Sequence, residues 1–242
     1  MDFARMLREK RFYLAVLLAF SGIVLGTAMP ELKEGGALET GTFLKLTTEG
    51  LKSQTALFLL PVAAVLPCAE EYLRERQCNF LRFLIVRRSK TEYCRDRVLT
   101  TTISGALVWL LAAILATLFF FLLFFAREAV FIWQPKLLQE LLQVLARVCL
   151  IASALADFAA FLGTVSGSSY LALGLPFIVF YAGIILRQRY LEELYCVDPS
   201  EWILAENNWG PEHYALWIFL ILLALCMAAL HRMALDKKLE EI

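Results

Sequence analysis

Long apolar runs separated by short polar segments dominate the pattern of this chain. A transmembrane helix needs roughly 20 mainly apolar residues. Runs near that length cover residues 12–29, 55–72, 98–126, 137–164, 170–186 and 213–231. The pattern predicts an all-α, polytopic membrane protein with six transmembrane helices, built as a single transmembrane domain over residues 1–242.

Composition agrees with that class. The chain is 60% hydrophobic and 19% charged, and a soluble domain of this size has no interior large enough for so much apolar surface. Because the formal net charge is zero, bulk attraction to nucleic acid is excluded. The first apolar run is too long for a signal peptide and lacks a small-residue cleavage site, so it is predicted to remain as a helix.

The distribution of basic residues predicts the orientation of the chain. Lys and Arg near membrane spans favour the cytoplasm. Fifteen of the 23 lie on the side that holds both ends of the chain and the loop 72–97, seven lie on the other side, and Arg147 falls inside a span. Both termini are therefore predicted to be cytoplasmic.

The cytoplasmic loop 72–97 is dense in charge and carries aromatic residues as well. Its pattern predicts a helix from Glu71 to Leu84, then an elbow, then a helix that Ser89 caps with Glu92 completing a capping box. Attraction to anionic lipid explains some of the arginines. It does not explain the apolar residues Phe80 and Phe83, so an ordered, basic docking surface is predicted.

Two further groups of residues interrupt the apolar runs. The fourth run contains Glu140, Gln143, Arg147 and Asp157, and Glu140 and Arg147 lie about 20° apart around the helix. That polar face is predicted to look into the protein in a structural or interface role rather than as a proton relay. Three prolines are predicted to kink their helices and to act as hinges, namely Pro61, Pro67 and Pro176.

The segment before the last run is rich in Trp and Tyr, which favour the membrane interface. It is predicted to form short re-entrant or interfacial helices, with Ser200 capping one of them and Pro211 opening the last span.

Protease-like motifs are present only in broken form. Glu70 and Glu71 end the second span, but they are followed by the spacing EExxR rather than EExxxR. The segment Gly163–Gly167 is one residue off the GxSG pattern. The two histidines, His213 and His231, flank the last run, so a membrane protease or another membrane enzyme is disfavoured.

The segment PVAAVLPCAEEYLRERQCNFLRFLIVRRSKTEYCRDRVL resembles the second-span and coupling-loop region of type-2 ABC exporter permeases. The later segments LGTVSGSSYLALGLPFIVFYAG and VDPSEWI are similar to that family's turn between spans four and five and to its motif before the last span. The family's motif positions fall on Glu71, Arg74, Leu81, Leu84, Ser89, Tyr93 and Arg97.

The resemblance implies a permease that exports an amphipathic substrate (a peptide, lipid or drug-like molecule) from the inner membrane of a bacterium by alternating access. It implies a separate ABC ATP-binding subunit that holds ATP and Mg²⁺, and a second permease subunit, identical or similar. The sequence contains no GxxxxGK[ST] phosphate-binding motif, so this chain is expected to bind no cofactor and not to be an enzyme.

The resemblance also places a docking surface for the ATPase on the cytoplasmic loop. Its expected residues are Arg74, Arg76, Phe80, Leu81, Arg82, Phe83, Leu84, Arg87, Arg88, Lys90, Glu92 and Tyr93. An alternative stays open, in which the chain is a non-transporting scaffold or sensor subunit that docks a cytoplasmic signalling partner through the same basic loop.

Overall fold

The computed structural model describes residues 5–27, 41–68, 70–78, 89–124, 135–191 and 193–240. Within these ranges the protein is helical and contains no β-strand. The α-helices are α1 Lys10–Gly26, α2 Thr42–Lys52, α3 Gln54–Val65, α4 Glu71–Gln77, α5 Lys90–Phe124, α6 Pro135–Ser166, α7 Ser169–Tyr190, α8 Pro199–Leu204 and α9 Tyr214–Glu240.

Four of these helices (α5, α6, α7 and α9) are long and apolar enough to cross a membrane. The predicted all-helical class is therefore confirmed, and the protein has the character of a membrane protein. The described ranges do not supply the predicted six: α1 has 17 residues, and the apolar α3 has 12. The orientation of the two ends stays a prediction.

The second predicted span is not one continuous helix. The sequence pattern extended it over residues 55–72, but α3 ends at Val65 and α4 begins at Glu71 after a turn. Pro67 lies in that turn rather than inside a helix, and it has no backbone N–H to continue the helical hydrogen bonds. Pro61 and Pro176, in contrast, lie within α3 and α7.

Helix α6 is the centre of the bundle, since it packs against α2, α3, α5, α7 and α9.

The predicted docking helix is shorter than expected. Helix α4 ends at Gln77, and residues 79–88 lie outside the described residues.

Two glycines have a clear structural role. Gly105 on α5 lies so close to α6 that an added Cβ would meet the Ala152 carbonyl oxygen at 2.6 Å. Gly167, with φ of 68°, makes the sharp turn between α6 and α7. It lies in the segment LGTVSGSSYLALGLPFIVFYAG, where the resemblance implies a turn between spans four and five.

The segment between α7 and α9 contains the short helix α8 and two single turns of 3₁₀ helix, Tyr195–Val197 and Pro211–His213. The N-cap of α8 is Asp198 and not the predicted Ser200. The Asp198 carboxylate accepts a hydrogen bond of 2.9 Å from the Ser200 backbone N–H, and Pro199 takes the first helical position. A carboxylate satisfies the free N–H groups of a helix start, and proline is well suited to the position that follows.

Candidate functional site

A buried charged cluster lies where α4 meets the start of α5. It consists of Glu71, Glu75, Tyr93 and Arg97, and we call it the Arg97 cluster. The Arg97 guanidinium forms ion pairs with both carboxylates, and the Tyr93 hydroxyl donates a hydrogen bond of 2.8 Å to Glu75. Each pair of residues is four positions apart on its own helix, so both pairs face the contact between the helices.

The side chains of this cluster are almost wholly removed from solvent, with 3% exposure for Arg97 and 6% for Glu71. Burial raises the pKa of the Glu71 carboxyl, and the Arg97 guanidinium opposes that rise. Arg5 adds a second positive charge, since its guanidinium lies 3.2 Å from Glu75. Two cations thus balance two carboxylates. A buried charge left without its partner destabilises a protein strongly, so the members of the cluster depend on one another.

Further ion pairs attach the start of α1 and the residue before it to α4 and to its N-cap, Glu70. Arg74 pairs with Glu9 at 3.1 Å, and Arg11 pairs with Glu70. These pairs are partly exposed, and such pairs contribute about 0–1 kcal/mol each. These pairs position the start of α1 and contribute little to the stability of the fold.

An apolar cluster continues the same contact toward α9. Tyr72 and Leu73 of α4, Tyr93, Cys94 and Val98 of α5, and Leu235 and Leu239 of α9 are buried together. In addition, the Lys90 ammonium donates a hydrogen bond of 2.9 Å to the Leu239 carbonyl oxygen. We call α4, before the basic loop, and the first turns of α5, after it, the two stems of the loop. The two stems are therefore joined to each other and to the end of α9.

The predicted docking residues divide into four groups. Arg76, Lys90 and Glu92 are exposed, whereas Arg74 is partly buried beside Glu9. Tyr93 is buried in the Arg97 cluster and so belongs to the support of the loop. The remaining predicted docking residues lie outside the described residues, namely Phe80, Leu81, Arg82, Phe83, Leu84, Arg87 and Arg88.

The predicted Ser89 cap of α5 agrees with the structure, whereas the Glu92 half of the capping box stays a prediction. The helix begins directly after Ser89, whose hydroxyl accepts a hydrogen bond of 3.3 Å from the Glu92 backbone N–H. Arg97 was read from the sequence only as a motif position of the resemblance. The signal for its burial is that the 27 residues that follow it up to Phe124 carry no charge.

A second buried polar cluster lies between α5, α6 and α9. The Asp157 carboxylate is fully buried, accepts a hydrogen bond of 2.6 Å from the Thr102 hydroxyl and lies 3.1 Å from the His231 Nδ1 atom. His231 is 1% exposed, so the interpretation that both histidines only flank the last span is wrong for this one. The sequence gives a signal for this contact, because a carboxylate inside an apolar run needs a partner.

The other polar residues of the fourth run do not form one shared site. Glu140 pairs with Lys52 of α2 at 2.6 Å, and Gln143 is exposed. Arg147 is buried, and its Nε atom has no hydrogen-bond partner among the described residues. The polar face predicted for this helix is therefore divided among separate neighbours.

Within the part of the chain that the structure describes, no group of three or more His, Cys, Asp or Glu residues lies together as metal ligands would. Comparison with protein-family models, with curated proteins and with solved structures gives no match for this chain.

Proposed function

We propose that this chain is the membrane-spanning permease subunit of an ATP-driven ABC transporter that exports an amphipathic substrate. In this proposal a separate ATP-binding subunit, carrying ATP and Mg²⁺, docks on the basic loop. A second permease subunit completes the path across a bacterial inner membrane. The resemblance of the loop and of the segment before the last span to type-2 ABC exporter permeases supports the assignment.

The observation that carries the proposal is the fixed support of the basic loop. The Arg97 cluster ties the helix before the loop to the helix after it, and the apolar cluster around Leu235 ties both to α9. A force on the loop would therefore reach α5 and α9 together. This is the property that a coupling element needs, because a loose loop would absorb the movement of its partner.

The length of α5 fits the same role. Its 35 residues extend about 52 Å, well beyond the roughly 30 Å of a hydrocarbon core. The charged first turns, up to Arg97, lie at the end of the helix where the uncharged stretch begins, which suits a position outside the lipid. Tilting of α5 would then carry motion from the loop into the membrane.

The docking assignment is tested by reversing charge on the loop. Arg87→Glu with Arg88→Glu is expected to abolish co-purification of an ATP-hydrolysing subunit from native membranes, because Arg residues at interface centres contribute strongly to binding. The measurement is ATPase activity and subunit composition of the affinity-purified complex. Reversal of Lys45 and Lys136, which are exposed and away from the loop, is the matched control.

Two results would contradict the proposal. One is a wild-type complex with no nucleotide-hydrolysing companion, and the other is a loop variant that keeps its companion and its full ATPase activity. A wild-type complex that retains a different cytoplasmic protein through the same arginines would favour the scaffold or sensor alternative.

A further inference from the structure

A laterally open apolar groove lies on α6 between α7 and α9. Its volume is about 460 Å³, and its walls include Ala154 and Phe158 of α6, Ala182 of α7, and Leu223 and Met227 of α9. One end is roofed by the segment around α8, where Trp202 lines it. All three helices around it are candidate membrane spans, so its opening faces the hydrocarbon region.

The chemistry of the walls limits the ligand to hydrocarbon. The residues that line the groove are apolar. The one side-chain nitrogen or oxygen atom among them is the indole nitrogen of Trp202. That indole N–H already donates a hydrogen bond of 2.9 Å to the Cys196 carbonyl oxygen. A polar ligand group inside the groove would lose its own hydrogen bonds and gain none.

The roof of the groove is built to stay in place. Gly183 of α7 lets the roof approach closely, since an added Cβ would lie 2.9 Å from the Val197 carbonyl oxygen. The Asp198 carboxylate caps α8 and also pairs with Arg187 of α7 at 3.4 Å. The end of the groove is therefore anchored to α7 by packing and by an ion pair.

The size of the groove argues against a helix of a second copy as its occupant. An α-helix about 10 Å across fills roughly 420 Å³ per turn, so the groove holds about one turn of helix. A span docked along α7 and α9 needs several turns. A single flexible hydrocarbon chain is narrower and can enter from the side.

A polar recess lies one helical turn beyond the groove. Leu186 lines the apolar groove, and Arg189 and Tyr190 line the recess together with Glu193. Arg189 and Tyr190 are exposed. An amphipathic molecule with its chain in the groove would thus find a cation near its polar end, and arginine is well suited to phosphate.

We infer that this groove is a binding site for one acyl chain of a membrane phospholipid, whose phosphate lies at Arg189. This lipid is a bound component of the protein, and the inference does not depend on the ATPase or on the proposed transport activity.

The test uses the full-length protein in vesicles of phosphatidylglycerol, a fraction of which carries a photoactivatable diazirine in one acyl chain. After illumination and digestion, mass spectrometry locates the label. Label is expected to concentrate on peptides that contain Phe158 of α6 and Met227 of α9. Ala182→Leu fills the groove and is expected to reduce this label several-fold, whereas Ala229→Leu, the same change at an exposed position of α9, leaves it unchanged.

Arg189→Gln tests the placement of the phosphate and is expected to reduce the label at the same peptides, with a thermal unfolding midpoint like that of the wild type. Even labelling of all exposed apolar surfaces would overturn the site, as would groove label that Ala182→Leu leaves unchanged. Absence of label at the groove peptides, with label elsewhere on the apolar surface, would show that protein, such as a second copy, occupies the groove instead. Unchanged label in Arg189→Gln would overturn the headgroup placement.

Discussion

At the scale of single residues, Arg97 holds the charged contact between α4 and α5 together. Its guanidinium pairs with both Glu71 and Glu75, and it also lies over the Tyr93 ring, with 5.5 Å from Cζ to the ring centroid. Among the described residues, its removal would leave Arg5, which pairs with Glu75, as the remaining ion-pair partner of these two buried carboxylates. The identity of this residue therefore decides how well the charged part of the contact between α4 and α5 is satisfied.

Arg97→Met is expected to lower the free energy of unfolding by about 3–5 kcal/mol, because a buried charge loses its partner. The measurement is thermal unfolding of the purified protein in detergent. Arg95→Met, at a side chain 65% exposed two positions away, is the control and should change stability by at most about 0.5 kcal/mol.

A second variant checks the cause of that loss. Adding Glu71→Gln to Arg97→Met neutralises one of the stranded carboxylates and should recover part of the lost stability. A single variant as stable as the wild type, or a double variant less stable than the single one, would contradict the electrostatic explanation.

At the scale of helices, the sequence predicts where a helix begins or ends better than it predicts where an apolar run is interrupted or which helices pack together. The start of α5 follows from the Ser89 hydroxyl, and the turn at Gly167 follows from a run of small residues, since both depend on local chemistry. The break between α3 and α4 is less visible because the apolar run continues past the end of α3 to Ala69, although Pro67 lies within it. The helix α2 is not among the predicted spans, since its burial against α6 depends on tertiary contacts.

The same limit explains the fourth run. Helical periodicity correctly places Glu140 and Arg147 close together around one helix. The periodicity of this helix carries no information about Lys52 and His231, which lie on helices far away in the sequence. These two residues are the partners of Glu140 and Asp157. Periodicity describes one helix, whereas these contacts require the arrangement of several.

The close contact of α5 and α6 gives a prediction at this scale. Gly105→Ala is expected to destabilise the protein by about 1–3 kcal/mol, since the added Cβ meets backbone that cannot move alone. Gly174→Ala on α7 has no atom within 4 Å of the new Cβ, so it should be neutral or stabilising by up to about 1 kcal/mol. Thermal unfolding of both variants is the measurement, and equal effects would contradict the packing argument.

At the scale of the whole molecule, both stems of the basic loop, the segment before α1 and the end of α9 meet at one end of the bundle. This arrangement fits the predicted orientation, in which the loop and both ends of the chain share the cytoplasmic side. The arrangement follows from contacts between residues that are far apart in the sequence, whereas the charge count alone gives only a preference for one orientation.

Cysteine labelling tests that orientation. Cys78 is exposed within the cytoplasmic loop 72–97, so a membrane-impermeant maleimide is expected to label it in inverted membrane vesicles and not in intact cells. Cys226 lies exposed within the apolar α9 and should react in neither, because a thiol in lipid is shielded from a charged reagent. Lys136→Cys in a variant lacking Cys78 should give the opposite pattern, and labelling of Cys78 from outside the cell would refute the predicted topology.

The hydrogen bond from Lys90 to the Leu239 carbonyl joins positions 149 residues apart. A ribosome has therefore synthesised the basic loop long before it delivers the residues that complete the loop's support. During that interval Leu73 and Val98 lack their α9 neighbours, and the nascent chain presents an unfinished apolar surface to the insertion machinery. A stop codon placed after Met233 would make that temporary state permanent, because neither Leu235 nor Leu239 would ever arrive.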